Sequence, residues 1–324
     1  MKKTLVAGIL TTAMAVTMLA GTFQADEIDW PEKTITFVCP FSAGGDTDFN
    51  CRTLGKYLEE ELGVTVNVVN TTGGGGSIAS TEVKDTDPDG YTFLTFDTAM
   101  ALNEAFGVTD FGFEAFDPVA LYAKSTGEFV VVRSDYPVET LDELVAYSKE
   151  HPEEVNFAAN TGATSYYVAT KLAEAGAEFN VVNAGSSSER VASLLGEHID
   201  VSINAMGVIS QYIETGDLKI LANLSEEVPE AYPDYPLAAD QGIDIGYNLK
   251  YNVMAPKGTD PAVIEKLAAA IEKIVTSNEE YAEEIKTAYG QTPFIAIGDE
   301  MMEQLQAEKD QYMAYADVFQ AAAE

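Results

Sequence analysis

The chain has 324 residues, more than one hydrophobic core usually holds, so two lobes are expected. An apolar fraction of 46% supports a packed globule and argues against wholesale disorder. Asp and Glu number 53 against 18 Lys and Arg, a net charge of −35 that excludes nucleic acid and an anionic membrane surface as main partners.

Lys2 and Lys3 precede an apolar run from Leu5 to Ala20, the pattern of a secretory signal over residues 1–25. The run is short for a membrane-spanning helix, which needs roughly 20 apolar residues. Thr22 stands where a lipoprotein signal needs cysteine, so no thiol is available for lipid. The expected location is outside the cytoplasm, periplasmic or at the cell surface. A retained anchor shares the pattern and stays open, as does the cleavage point.

From Pro31 onward, strands and helices alternate. Thr34 to Cys39 is β-rich, and Leu54, Tyr57, Leu58 and Leu62 follow at helical spacing. Val64 to Val69 is a second strand, closed by the run Gly73–Gly76; a short helix follows, then a strand over Tyr91 to Phe96. The rhythm resumes with a strand at Phe129 to Val132, a helix at Leu141 to Glu150 and a strand at Val155 to Ala159. A helix over about Tyr166 to Ala175, a strand over Phe179 to Asn183, a helix over Ser186 to Leu195 and a strand over Ile199 to Ala205 come next. Later strands are expected at Ile220 to Leu224 and Tyr251 to Ala255, and long helices over Ala262 to Thr276 and Asp299 to Ala323. The rhythm predicts an α/β fold with mostly parallel sheets and flanking helices. The lobes are expected over 26–123 with 250–324, and over 124–249.

Cys39 and Cys51 lie twelve residues apart, at neither a redox nor a zinc spacing. They are either a disulfide or two small buried hydrophobes. His151 and His198, the two histidines, lack spaced metal partners, and the run Glu279-Glu280 with Glu283-Glu284 reads as a charged helix face. No nucleophile elbow, His-Glu-x-x-His or P-loop occurs. Gly74-x-Gly76-x-x-Ala79 fits a dinucleotide fingerprint, with Asp97 at the next strand end, so an exported nicotinamide-dependent oxidoreductase is the enzymatic alternative.

Three strand-to-helix loops share one design: Pro40 to Thr47, Asn160 to Ser165, and Asn183 to Ser187. Each brings small residues and hydroxyls to the first turn of a helix, where free N–H groups and the dipole favour an anion. In an open α/β sheet such loops gather at the carboxyl ends of strands. A single one is an ordinary helix cap; three point to a shared small-anion site. Arg190 reads either as a positive contact there or as a surface partner of Glu189 or Glu197.

Several fragments in order resemble the extracytoplasmic solute-binding proteins of tripartite tricarboxylate transporters, the Bug or TctC family. They are Trp30 to Val38 with Pro40-Phe41-x-Ala43-Gly44-Gly45-x-Thr47-Asp48, Val68-x-Asn70 with Gly73 to Ile78, and Pro88 to Thr92. Thr140 to Lys149, Leu194-Leu195-Gly196 with Asp200, and Ala255-Pro256-x-Gly258-Thr259 complete the pattern. The resemblance demotes the dinucleotide match. It implies a two-lobed, type II periplasmic-binding-protein-like fold and a monomer without catalysis, cofactor or metal. It further implies capture of a small di- or tricarboxylate for delivery to membrane transporter subunits, or, as an alternative, to a membrane sensor. Carried over by position, the ligand residues are Phe41, Ser42, Ala43, Gly44, Gly45 and Thr47 in one lobe. In the other they are Thr161, Gly162, Thr164, Ser165, Ser186 and Ser187. Asn204 is counted with these ligand residues; it stands where many members have an aspartate for a ligand's amino group, which disfavours an amino-acid ligand. Asp48 is assigned to the helix start.

Overall fold

The structure, a computed structural model, describes residues 28–323, so the secretory signal expected over 1–25 lies outside the described residues. The first half contributes β1 (Ile35–Cys39), α1 (Asp46–Leu62), β2 (Val66–Asn70), α2 (Ser77–Lys84), β3 (Thr92–Phe96), α3 (Ala99–Ala105) and β4 (Phe116–Lys124). Then come β5 (Phe129–Arg133), α4 (Leu141–Glu150), β6 (Asn156–Ala158), α5 (Thr164–Glu174), β7 (Asn180–Val182), α6 (Ser187–Leu195), β8 (Val201–Asn204), α7 (Met206–Glu214) and β9 (Leu218–Asn223). The chain ends with β10 (Lys250–Pro256), α8 (Pro261–Ser277), α9 (Glu279–Tyr289), α10 (Gly298–Met313) and α11 (Ala316–Ala323).

Two five-stranded sheets result, in the orders β2-β1-β3-β10-β4 and β7-β6-β8-β5-β9. In each, four strands share a direction and one, β10 or β5, runs against both neighbours. The segments leading from β4 to β5 and from β9 to β10 run side by side. There the Ser125 N–H donates to the Leu249 carbonyl at 2.8 Å, and Asn248 Nδ2 donates to the Ser125 carbonyl at 2.8 Å.

Strands covered by helices on both faces need apolar residues throughout, not alternation. β5, Phe-Val-Val-Val-Arg, is buried over its first four positions, and β1 is buried at all but Thr36. Val263, Leu267, Ile271 and Ile274 form the buried stripe of α8, which starts at the Asp260 cap with Pro261 in its first turn. Asn278 ends α8 and caps α9 through a bond from the Tyr281 N–H.

The sequence-based elements differ from the structure at particular places. β4 was not expected, because Pro118 breaks its β pattern; it is an edge strand, where a missing N–H is tolerated. α7 follows Ala205, a residue with no capping side chain, so its start carries no sequence signal. The long terminal helix divides into α10 and α11 between Met313 and Ala316. Cys39 and Cys51 are buried free thiols.

Candidate functional site

Loops at the strand ends of both sheets close on one cleft. Its inner compartment is a cavity of about 40 Å3, lined by Gly45, Asp46 and Thr47 from the start of α1 and by Ala163, Thr164 and Ser165 from the start of α5. Ser186, which caps α6, and Ser187 and Arg190 of α6 also line it, with Asp97, Ala99, Glu128 and Leu249. At roughly 10–15 Å3 per water, that is room for a few waters, or for one small polar group. An outer compartment of about 410 Å3 adjoins it through the shared residues Phe41, Asn160 and Ser186. The run Gly73–Gly76, Ser42 and Thr161 line the outer part.

The helix starts are built differently. Gly45 and Ala163 precede α1 and α5, and neither supplies a side-chain cap, so the first amides of both helices are left for solvent or ligand. The tip of α6 is occupied by the protein itself: Glu189 Oε2 accepts the Ser186 N–H at 2.7 Å, the Ser186 hydroxyl at 2.8 Å and the Ser42 hydroxyl at 3.2 Å. The first two bonds are the main reason that the Glu189 carboxyl lies below its usual pKa. The third loop is therefore not an open anion cradle like the other two.

The first loop is braced from behind. Asp48 accepts the Gly44 N–H at 3.0 Å, Asn70 Nδ2 at 2.8 Å and Arg52 Nε at 2.9 Å. Burial alone would raise the Asp48 pKa, but these donors outweigh it and lower the value. This agrees with the sequence assignment of Asp48 to the helix start. Across the cleft, Asn103 Nδ2 donates to Gly75 O at 2.9 Å and to Gly162 O at 2.7 Å, linking the loops of the two sheets.

Of the residues expected at the site, Phe41, Ser42, Gly45, Thr47, Thr161, Thr164, Ser165, Ser186 and Ser187 line one compartment or both. Ala43, Gly44 and Gly162 are backbone neighbours that line neither. Asn204 also lies outside: its Nδ2 donates to Ser187 O at 2.8 Å and to Ser187 Oγ at 2.9 Å, so it supports the α6 tip. Arg190 departs from the surface alternative. It is 6% exposed, donates to Gly185 O at 3.2 Å and Ile203 O at 2.8 Å, and stands 3.9 Å from Glu128.

Three buried acids were not anticipated in this role. Asp97 accepts from Thr47 Oγ1 at 2.9 Å and from the Ala99 N–H at 2.8 Å. Asp46 accepts from the Tyr251 hydroxyl at 2.8 Å; Glu128 accepts from Tyr247 at 2.5 Å and Thr164 at 3.1 Å. Burial, reinforced by the charges of Asp46 and Glu128, pushes the Asp97 pKa up to about 7. Burial and the charge of Asp46 also raise Glu128, against the pull of Arg190. Asp97 had a sequence signal, but as the acid of a dinucleotide fingerprint; it lines the inner compartment, whereas Gly74 and Gly76 line the outer one. Glu128 had none, since only folding brings the residue before β5 to Thr164 at the start of α5. Among the described residues no three His, Cys, Asp or Glu are grouped to hold a metal ion, and no helix is long and apolar enough to cross a membrane.

Comparison with known proteins bears on this cleft. The profile of the "Tripartite tricarboxylate transporter family receptor" matches residues 51–314. Protein BugT of Bordetella pertussis is 30% identical over 307 residues, covering 93% of each chain. The structure of the periplasmic binding protein BugD superposes with a TM-score of 0.82 at 26% identity, over 91% of this chain and 99% of that one. A Rhodopseudomonas palustris structure with adipate has a TM-score of 0.80 at 23% identity, over 90% of this chain and 98% of that one. The chain thus belongs to the tripartite tricarboxylate transporter receptor family and is a Bug-type solute-binding protein with the periplasmic-binding-protein fold.

Proposed function

We propose that this protein captures a small organic carboxylate in the cleft between its two sheets and presents it, outside the cytoplasm, to the membrane subunits of a tripartite transporter. The observation that carries the reading is the pair of uncapped helix starts, α1 from one sheet and α5 from the other, lining one cavity. Two N-terminal amide clusters hold a carboxylate by short-range donors, so the net charge of −35 does not prevent it: exposed charges are screened beyond roughly 8 Å at physiological salt. The fold is a receptor's and the role is capture and release without chemistry. The two sheet-bearing halves, 26–123 with 250–324 and 124–249, act as lobes about the Ser125–Leu249 crossing. The adipate-bound relative is an example of a carboxylate in this fold.

A thermal-shift screen over mono-, di- and tricarboxylates and amino acids tests this. A ligand at 100 times its dissociation constant adds about 2.7 kcal/mol, which moves the melting temperature by several degrees. Failure of every carboxylate to stabilise the protein would sink the reading. The transport role predicts that purified protein restores ligand uptake to vesicles bearing the membrane subunits alone.

A further inference from the structure

We infer that the C-terminal helix α11 is a latch: Tyr315, just before it, and Phe319, within it, grip the first turn of α5 and so set how far the α5 amides stand from those of α1. This goes beyond the capture role above, because it concerns what holds the two halves together. Neither residue lines the cleft, so both are positioning residues.

α11 has eight residues, four of them alanine, and is too short to hold its shape alone in water. Its order comes from one face. Tyr315 and Phe319 are four residues apart and therefore share a side of the turn, and the Phe319 N–H donates to the Tyr315 carbonyl at 2.9 Å. Phe319 is completely buried, whereas Val318 beside it is half exposed. That face meets both halves of the molecule. Phe319 stacks on Phe106, the residue after α3, with ring centroids 4.1 Å apart and planes 5° from parallel, and Gln320 Nε2 donates to the Ala105 carbonyl at 3.2 Å. α3 in turn packs on α10, which covers β4 of the first sheet. On the other side is α5, which joins β6 to β7 of the second sheet. Its Tyr167 meets Tyr312, Tyr315 and Phe319 edge-on, with centroids 5.1, 5.7 and 6.5 Å away. Tyr166 meets Phe106 edge-on at 5.2 Å, and Lys171 Nζ donates to the Tyr315 hydroxyl at 3.2 Å.

The gripped turn is the one that faces the cleft. Tyr166 and Tyr167 directly follow Thr164 and Ser165, which line the inner compartment, so the grip acts within one helical turn, roughly 5 Å of rise, of the uncapped amides. It is also continuous with the contact across the cleft. Asn103 and Phe106 are three residues apart and share a side of α3: Asn103 holds the Gly75 and Gly162 carbonyls, and Phe106 takes Tyr166. Moving α5 away from the first sheet brings Tyr167 and Phe319, 4% and 0% exposed, into water, and the burial of aromatic surface opposes that movement. Halves held near their binding separation leave a ligand less ordering to drive, so the latch raises affinity without touching the ligand.

Hydrogen exchange and small-angle scattering of the purified, ligand-free protein decide the point. In Phe319→Ala, checked for folding by circular dichroism, the amides of residues 166–172 should exchange at least tenfold faster and the radius of gyration should grow. Exchange in β3 and β8, the central strands of the two sheets, should stay as it is. Phe319→Leu, which keeps a buried apolar side chain there, should regain most of the protection. Unchanged exchange over 166–172 or an unchanged radius in Phe319→Ala overturns the latch. So does equal acceleration in β3 and β8, which marks a general loss of stability, or equal opening in the leucine variant. Should Phe319→Ala not fold, Tyr315→Ala, at a partly exposed position, is read by the same measurements with the same expected and overturning results. Both readouts are taken without ligand, so a negative result removes the latch and leaves the capture role standing.

Discussion

Asp97 and Asp48 are both carboxylates near the first loop, and their surroundings drive them in opposite directions. Burial with like charges raises Asp97 to about 7, so the folded state holds its proton more tightly than the unfolded chain does. The cost of ionising it is nil below about pH 4, grows between there and 7, and is complete above 7. Asp97→Asn should therefore stabilise the unliganded protein at pH 8 by ~2–4 kcal/mol and leave it nearly unchanged at pH 4. Melting temperatures across that range check it; equal gains at both pH values would contradict the sign. Asp48 has a lowered value, so its contribution is present above the unfolded pKa and is lost as pH falls through the folded one. Asp48→Ala frees the Gly44 N–H, Asn70 and Arg52 together. It should cost about 1–3 kcal/mol at pH 7, read by urea unfolding, and weaken ligand binding by slackening the first loop.

Between elements, the run Gly73–Gly76 is one place where the two halves meet, against the loop that precedes α5. Gly75 has φ +62°, and a Cβ there would come within 2.7 Å of the Thr161 carbonyl of the opposite loop. Glycine is thus required twice, for its backbone conformation and for the contact. Gly75→Val should leave each sheet folded but hold the loops apart, raising the dissociation constant for ligand at least tenfold. Titration calorimetry reads the affinity and small-angle scattering the expected larger radius. Unchanged affinity would remove that turn from closure. Asn103, bridging Gly75 and Gly162, belongs to the same contact, so Asn103→Ala should weaken binding in the same direction.

At the scale of the whole molecule, the net charge of −35 acts as self-repulsion of the compact state. Added salt screens it: the Debye length shrinks from roughly 30 Å at 0.01 M to roughly 3 Å at 1 M. The melting temperature of the unliganded protein should rise by several degrees between 0.01 and 0.5 M sodium chloride, an expectation set by the size of the screening change. A flat or falling profile would show that local pairs such as Lys309 with Glu104 and Glu114 already offset the repulsion.

What the sequence determined by itself is what local chemistry determines. Apolar runs bounded by turns placed nine of the ten strands, β4 excepted, and the small-residue loops before α1, α5 and α6 are ones the fold brings to the cleft. Spacing along the chain encodes helices, strands and caps because those interactions reach only a few residues. The tertiary structure decided what depends on partners far apart. It placed Glu128, the residue before β5, beside Thr164, Tyr247 and Arg190. It turned Arg190 inward, set Asp97 against Thr47, and closed the α6 tip with Glu189. A carboxylate's role follows from the dielectric and the charges around it, and those neighbours exist only once the chain has folded.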